Sequence, residues 1–163
     1  MKVIEARDNR RDKLQRSLDA ALRCLSYRPR SETELKLKLR RRGADSETIA
    51  YVLTKLKEQH LVDDMAFARF WCQNREVFSP RSRRFIEQEL RGKGVAAETI
   101  AEVTAGLDDE SQAHQAIQKK LCHLEGLAYP DFRHKLGAFL RRRGFDYEVI
   151  SQTIDRAWKE VET

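Results

Sequence analysis

Apolar side chains recur along this chain at spacings of three and four, separated by polar stretches rich in charge. Leu14, Leu18, Leu22 and Leu25 predict an amphipathic helix over residues 12–26. Leu35 and Leu39 predict a second helix, and Ile49, Val52, Leu53 and Leu56 a third. The same rhythm continues through Phe67, Phe70, Trp71 and Cys72, then Ile86 and Leu90, then Ile100. It closes with Ala113, Ile117, Leu121 and Cys122, with Leu136 and Leu140, and with Ile150, Ile154, Ala157 and Trp158. No segment alternates with the period of a strand. The pattern predicts about nine helices and an all-α fold.

These helices are written three times on one skeleton. Pro29, Leu35, Leu39, Gly43 and Ile49 return as Pro80, Ile86, Leu90, Gly94 and Ile100, and again as Pro130, Leu136, Leu140, Gly144 and Ile150. The offsets from each proline are 0, 6, 10, 14 and 20, and the copies begin 51 and 50 residues apart. A fixed period of this kind marks a repeat architecture. Proline suits the first turn of a helix, because it lacks an N–H that would go unused there. Ser79 is placed to cap the helix after Pro80, and Ser31 with Glu34 fits a capping box. Glycine at offset 14 can take the left-handed conformation that stops a helix, so each copy encodes helix, glycine stop, helix. With the helix before each proline, this predicts three tandem three-helix repeats over 12–61, 62–107 and 108–163, after a poorly ordered tail at 1–11. Asp45 or Ser46, then Asp63 and Asp108, are the expected helix caps.

Composition narrows the class. The chain has 163 residues, of which 36% are charged, and a formal net charge of +6. Such a balance suits an acidic partner, nucleic acid first. No run approaches the length of a membrane span, and residues 1–12 are too polar for a secretion signal. Cys24, Cys72 and Cys122 are widely spaced with no CxxC, which excludes zinc-finger and thioredoxin spacings. They are read as small core side chains of a cytoplasmic protein.

No catalytic constellation emerges. The chain has no phosphate-binding glycine loop and no HExxH, and its four histidines show no ligand spacing. Asp63-Asp64 and Asp108-Asp109 could hold a metal, but acidic residues at helix starts act as caps that complement the dipole. No cofactor and no enzymatic activity are expected.

The arginines carry more information. Arg40, Arg91 and Arg141 share offset 11. Arg81, Arg84, Gln88 and Arg91 fall on one helical stripe opposite Ile86 and Leu90, with Arg83 and Lys93 beside it. Arg40, Arg41 and Arg42 precede Gly43, and Arg141, Arg142 and Arg143 precede Gly144. Cations at a helix C-terminus oppose the dipole, which accounts for the two outer runs as ordinary solvated faces. It does not account for Arg81, Arg83 and Arg84 at a helix start. All twelve are candidates for meeting an acidic surface.

The run Leu61-Val62-Asp63-Asp64-Met65-Ala66-Phe67-Ala68, followed by the helix from Pro80 to Val95, resembles the RecX family of recombination regulators. Arg30-Ser31-Glu32-Thr33-Glu34-Leu35 with Leu39 and Gly43 does likewise. The resemblance spans residues 14–158. It departs at His60, where the family usually has glycine in a left-handed turn. It implies an elongated, all-helical array that binds the RecA recombinase, mainly as a filament on single-stranded DNA, and hinders filament extension. By implication it restrains strand exchange, ATP hydrolysis and co-protease activity in DNA repair and the SOS response. Direct binding to single-stranded and duplex DNA is also implied, and a monomer is expected. The competing readings are a helix-turn-helix transcription factor on duplex DNA and a repair nuclease. The first is poorly served, because 96–106 carries no basic residue and 46–56 only Lys55. The second lacks a ligand set.

Overall fold

The computed structural model describes residues 2–161, with side chains from residue 7 onward. Nine α-helices and no strands occur among them: α1 Lys2–Tyr27, α2 Glu32–Arg41, α3 Ser46–Glu58, α4 Asp64–Phe78, α5 Arg83–Gly92, α6 Ala97–Thr104, α7 Asp109–Leu121, α8 Tyr129–Arg142 and α9 Tyr147–Val161. α1 starts at Lys2, so the stretch expected as a tail is helical apart from Met1, which lies outside the described residues. One charge of that stretch has a partner on α3, where Arg10 pairs with Glu47, and a turn later Lys13 pairs with Asp45, the cap of α3.

The repeated skeleton is the core. Leu35, Leu39 and Ile49 are buried, as are Ile86, Leu90 and Ile100, and Leu136, Leu140 and Ile150. In the first repeat, Leu35 and Leu39 of α2 join Ile49, Val52, Leu53 and Leu56 of α3. α1 enters this cluster mainly through Ala20 and Ala21 rather than through the leucine stripe, and Leu22 is 38% exposed. Alanine lets the helix axis approach closely, so the leucines flank the contact instead of filling it. In the third repeat, Ala113, Ala116 and Ile117 of α7 pack with Phe132, Leu136 and Leu140 of α8 and with Ile150, Ile154 and Ala157 of α9. Trp158 closes that core edge-on to Tyr129 and Phe132.

Each middle helix ends the same way. Gly43, Gly94 and Gly144 have φ of +84°, +76° and +88°. Their N–H groups donate to Arg40, Arg91 and Arg141, and the next residues, Ala44, Val95 and Phe145, donate to Leu39, Leu90 and Leu140. This is the paired-bond stop that satisfies the last carbonyls of a helix. His60 closes α3 with the same two bonds and φ of 56°, the only non-glycine described with a positive φ. The left-handed turn inferred at this position is therefore formed with histidine in it.

The prolines differ from expectation. Only Pro130 lies in the first turn of a helix. Pro29 and Pro80 stand outside, because Ser31 and Ser82 at offset 2 cap α2 and α5: the Ser31 hydroxyl accepts from Glu34 N–H at 3.2 Å and the Ser82 hydroxyl from Phe85 N–H at 3.2 Å. The third repeat has Phe132 at that offset, and its helix starts without a side-chain cap. Ser79, expected as a cap, instead ends α4 by donating its N–H to Arg75. The Ser31–Glu34 capping box is complete, and Asp45, Asp63 and Asp108 all cap as expected.

By compactness the chain forms two units. One runs through Phe70 and takes up Leu90–Thr99; the other comprises Trp71–Glu89 and everything from Ile100. The second repeat is thus shared between them.

Candidate binding faces

Exposed arginine is the resource from which a site could be built, and the twelve candidates divide by what already engages them. Arg40, Arg41 and Arg42 are exposed at the end of α2, and Arg141 and Arg142 at the end of α8. Arg84 and Gln88 are exposed on α5 in the second unit, and Arg91 is exposed where the same helix passes into the first. Ile86 and Leu90 are fully buried, but Arg81, expected on the same stripe, precedes the Ser82 cap and lies outside α5.

The remaining candidates are committed to the protein. Arg81 sits 4.5 Å over the Phe85 ring and 4.0 Å from the Glu89 carboxylate. Arg83 pairs with Glu87 at 2.9 Å. Lys93 donates to Glu34 at 2.9 Å. Arg143 donates to the Ser79 hydroxyl and the Pro80 carbonyl and lies 4.5 Å from the Phe139 ring centre. Burial first, then the nearby charges of Arg81, Arg75 and Arg142, press the Arg143 pKa down. The balancing anion is Glu89, which accepts two bonds from Arg75 at 2.9 and 2.7 Å and one from Trp71 at 2.9 Å. Sequence reasoning missed this network, although Trp71 and Arg75 stand one helical turn apart and could have flagged a shared partner.

The acidic pairs have a second use beyond capping. Asp64 accepts the N–H of Glu32, the first residue of α2, at 2.9 Å. Asp109 accepts the N–H of Arg83, the first residue of α5, at 2.7 Å. In each pair one carboxylate caps its own helix and the other receives the start of the middle helix one repeat earlier. Burial raises the pKa of both Asp64 and Asp109, with the backbone bond opposing it. A second bond joins the same repeats: the Ser31 hydroxyl donates to the Lys93 carbonyl at 2.7 Å, and Ser82 N–H to the Arg143 carbonyl at 3.1 Å. Both serines are fully buried.

Glu34 ties the first of these joints. Burial alone would raise its pKa, but bonds from Arg28, Lys93 and the Ser31 N–H hold it at about 2. Cys72 is buried, and burial with nearby Glu76 pushes its thiol up to about 11. Cys122, expected in the core, is exposed at the end of α7, because the helix stops there and the chain turns through Gly126 before α8. Among the described residues no three His, Cys, Asp or Glu side chains converge as metal ligands, and no helix is long and apolar enough to cross a membrane.

Tandem three-helix modules, with exposed arginines at the ends of α2 and α8, define an all-helical repeat protein. Family descriptions assign its parts: residues 18–56 match RecX, first three-helix domain, residues 63–103 the second, and residues 108–154 the third. The chain belongs to the RecX family of regulatory proteins. It is 39% identical to the regulatory protein RecX of Chlorobaculum tepidum over 85% of this chain and 86% of that one. It is 33% identical to that of Mycolicibacterium smegmatis over 86% and 81%. The crystal structure of RecX from Lactobacillus salivarius shares the fold, with a TM-score of 0.70 over 90% of this chain at 23% identity. A second regulatory protein RecX structure gives 0.72 over 92% at 25% identity.

Proposed function

We propose that this protein binds RecA, mainly as its filament on single-stranded DNA, and hinders filament extension. It thereby restrains strand exchange, ATP hydrolysis and co-protease activity in the cytoplasm during DNA repair and the SOS response. Family membership supports the regulatory role. The observation that carries the choice of surface is the exposure of Arg84 and Gln88 on α5 while Ile86 is buried. An arginine near the start of a helix gains nothing from the dipole, so its presence there is better explained by a partner than by the helix. Several weak contacts from repeated modules on one chain would add by avidity.

The test is DNA-dependent ATP hydrolysis by RecA with increasing amounts of this protein. The rate is expected to fall, and an unchanged rate would overturn the proposal. Arg84→Glu and Arg91→Glu, made separately, are expected to weaken filament binding by about tenfold, or 1.4 kcal/mol. Arg81→Glu should instead lower thermal stability, because Arg81 packs on Phe85 beside Glu89. Duplex binding that is sequence-selective and independent of RecA would favour the transcription-factor reading.

A further inference from the structure

The two joints within the chain show what the glycine stop receives. At Gly94 the seated segment is the first turn of α2: a Cβ on Gly94 would come within 2.1 Å of the Thr33 hydroxyl. At Gly144 it is the first turn of α5, with the Ser82 hydroxyl at 2.7 Å and Phe85 Cβ at 2.9 Å. The carbonyl just before each glycine accepts a hydrogen bond from the seated serine. The cation just before each glycine reaches onto the seated chain as well: Lys93 to Glu34, and Arg143 to Ser79 and Pro80.

Gly43 is the third member of this set, and it has the same left-handed stop. Yet no described atom beyond its own chain neighbours lies within 4 Å of its Cβ position. A cleft of about 480 Å³ opens there, lined by Lys13, Arg16, Arg42 and Gly43 over an apolar floor of Ala20 and Leu39. Arg42 holds the place of Lys93 and Arg143, and it is exposed.

One substitution changes what such a seat can take. The period of 51 puts Lys13 where the second repeat has Asp64. Asp64 suits the positive end of a helix, and it accepts the N–H of Glu32. Lys13 and Arg16 repel that end and attract carboxylates. Among the described residues the cleft lining contains three cations and no carboxylate. Asp45, which pairs with Lys13 at 2.6 Å, and Glu47, which pairs with Arg10, lie at the start of α3 outside that lining.

We infer that the Gly43 cleft is a docking seat for an acidic peptide segment of a partner protein, distinct from the α5 arginines. A polypeptide fits better than a nucleic acid. The occupied seats give their carbonyl a hydroxyl or N–H donor, and a peptide backbone carries such a donor at every residue while a phosphate backbone carries none. Carboxylates of the segment would meet Arg42, Lys13 and Arg16.

The experiment uses the full chain and a short fluorescein-labelled peptide of serine, glutamate and aspartate, followed by anisotropy. Saturable binding is expected. Gly43→Asn places a side chain in the seat; asparagine tolerates the left-handed turn, so this variant should stay folded by circular dichroism. It and Arg16→Glu are each expected to weaken binding about tenfold or more, while Arg23→Glu, an equal charge change elsewhere on α1, leaves it within about twofold. Should Gly43→Asn unfold, Arg16→Glu against Arg23→Glu decides alone. Absence of saturable binding, or equal losses from Arg16→Glu and Arg23→Glu, would overturn the inference. So would a single-stranded oligonucleotide of matched charge that binds with the same dependence on Arg16.

Discussion

Glu34 concentrates more bonds than any other carboxylate of the first repeat, and its low pKa makes a prediction about acid. A carboxylate held at about 2 in the folded protein and near 4.5 when unfolded adds stability above the unfolded value. That stability is lost as pH falls from about 4.5 toward 2. Asp64 and Asp109 act with opposite sign, since their raised pKa values favour the protonated folded state at low pH. Comparison with Glu34→Gln isolates the Glu34 contribution. The variant should be less stable than wild type by about 2 kcal/mol in urea at pH 7, the scale of a charge-assisted bond. The gap should close near pH 2. A gap of the same size at both pH values would refute this account. His60 offers a second test at this scale. A left-handed residue other than glycine costs on the order of 1 kcal/mol, so His60→Gly should raise the urea midpoint. The turn was legible because the resemblance placed a glycine there; the role of Glu34 beyond its capping box was not, since Lys93 lies 59 residues away.

Among elements, the three glycine stops share one conformation but differ in surroundings, and that difference is measurable. Gly43→Ala meets only backbone strain, about 1 kcal/mol. Gly94→Ala and Gly144→Ala add a clash with Thr33 or with Ser82 and Phe85, and should cost about 3 kcal/mol or more. Thermal unfolding of the three variants would show it; equal losses would mean that the joints yield easily. Ser31→Ala and Ser82→Ala should each cost about 1 to 2 kcal/mol as caps. The helices and their glycine ends were legible because periodicity and backbone sterics are local. The helix starts were misread at Ser79 and at Pro29 and Pro80, because both serine and proline favour a helix start and only the joint shows which residue the first turn uses. The second aspartate of each acidic pair was likewise unreadable alone, since its partner N–H comes from the preceding repeat.

For the whole molecule, the repeat period and the order of motifs carried the family, and the chain's excess of 32 lysines and arginines over 26 acids pointed to an acidic partner. Which cations are available was not legible: Arg81, Arg83, Lys93 and Arg143 look like their neighbours in sequence and differ only in what they touch. The consequence for binding is a salt dependence. Filament affinity should fall as salt rises, and where phosphates are met the slope falls by about 0.7 per single-strand contact removed. Titrations of Arg84→Glu and Arg91→Glu at several salt concentrations would reveal it, and an unchanged slope would point to a protein surface instead. The three thiols bear on how such titrations can be read out. Cys72 is buried with its thiol pushed up to about 11, Cys24 is half-buried, and Cys122 is exposed at the end of α7. A maleimide dye at neutral pH should therefore attach first to Cys122, giving the native chain a single reporter position without any engineered cysteine.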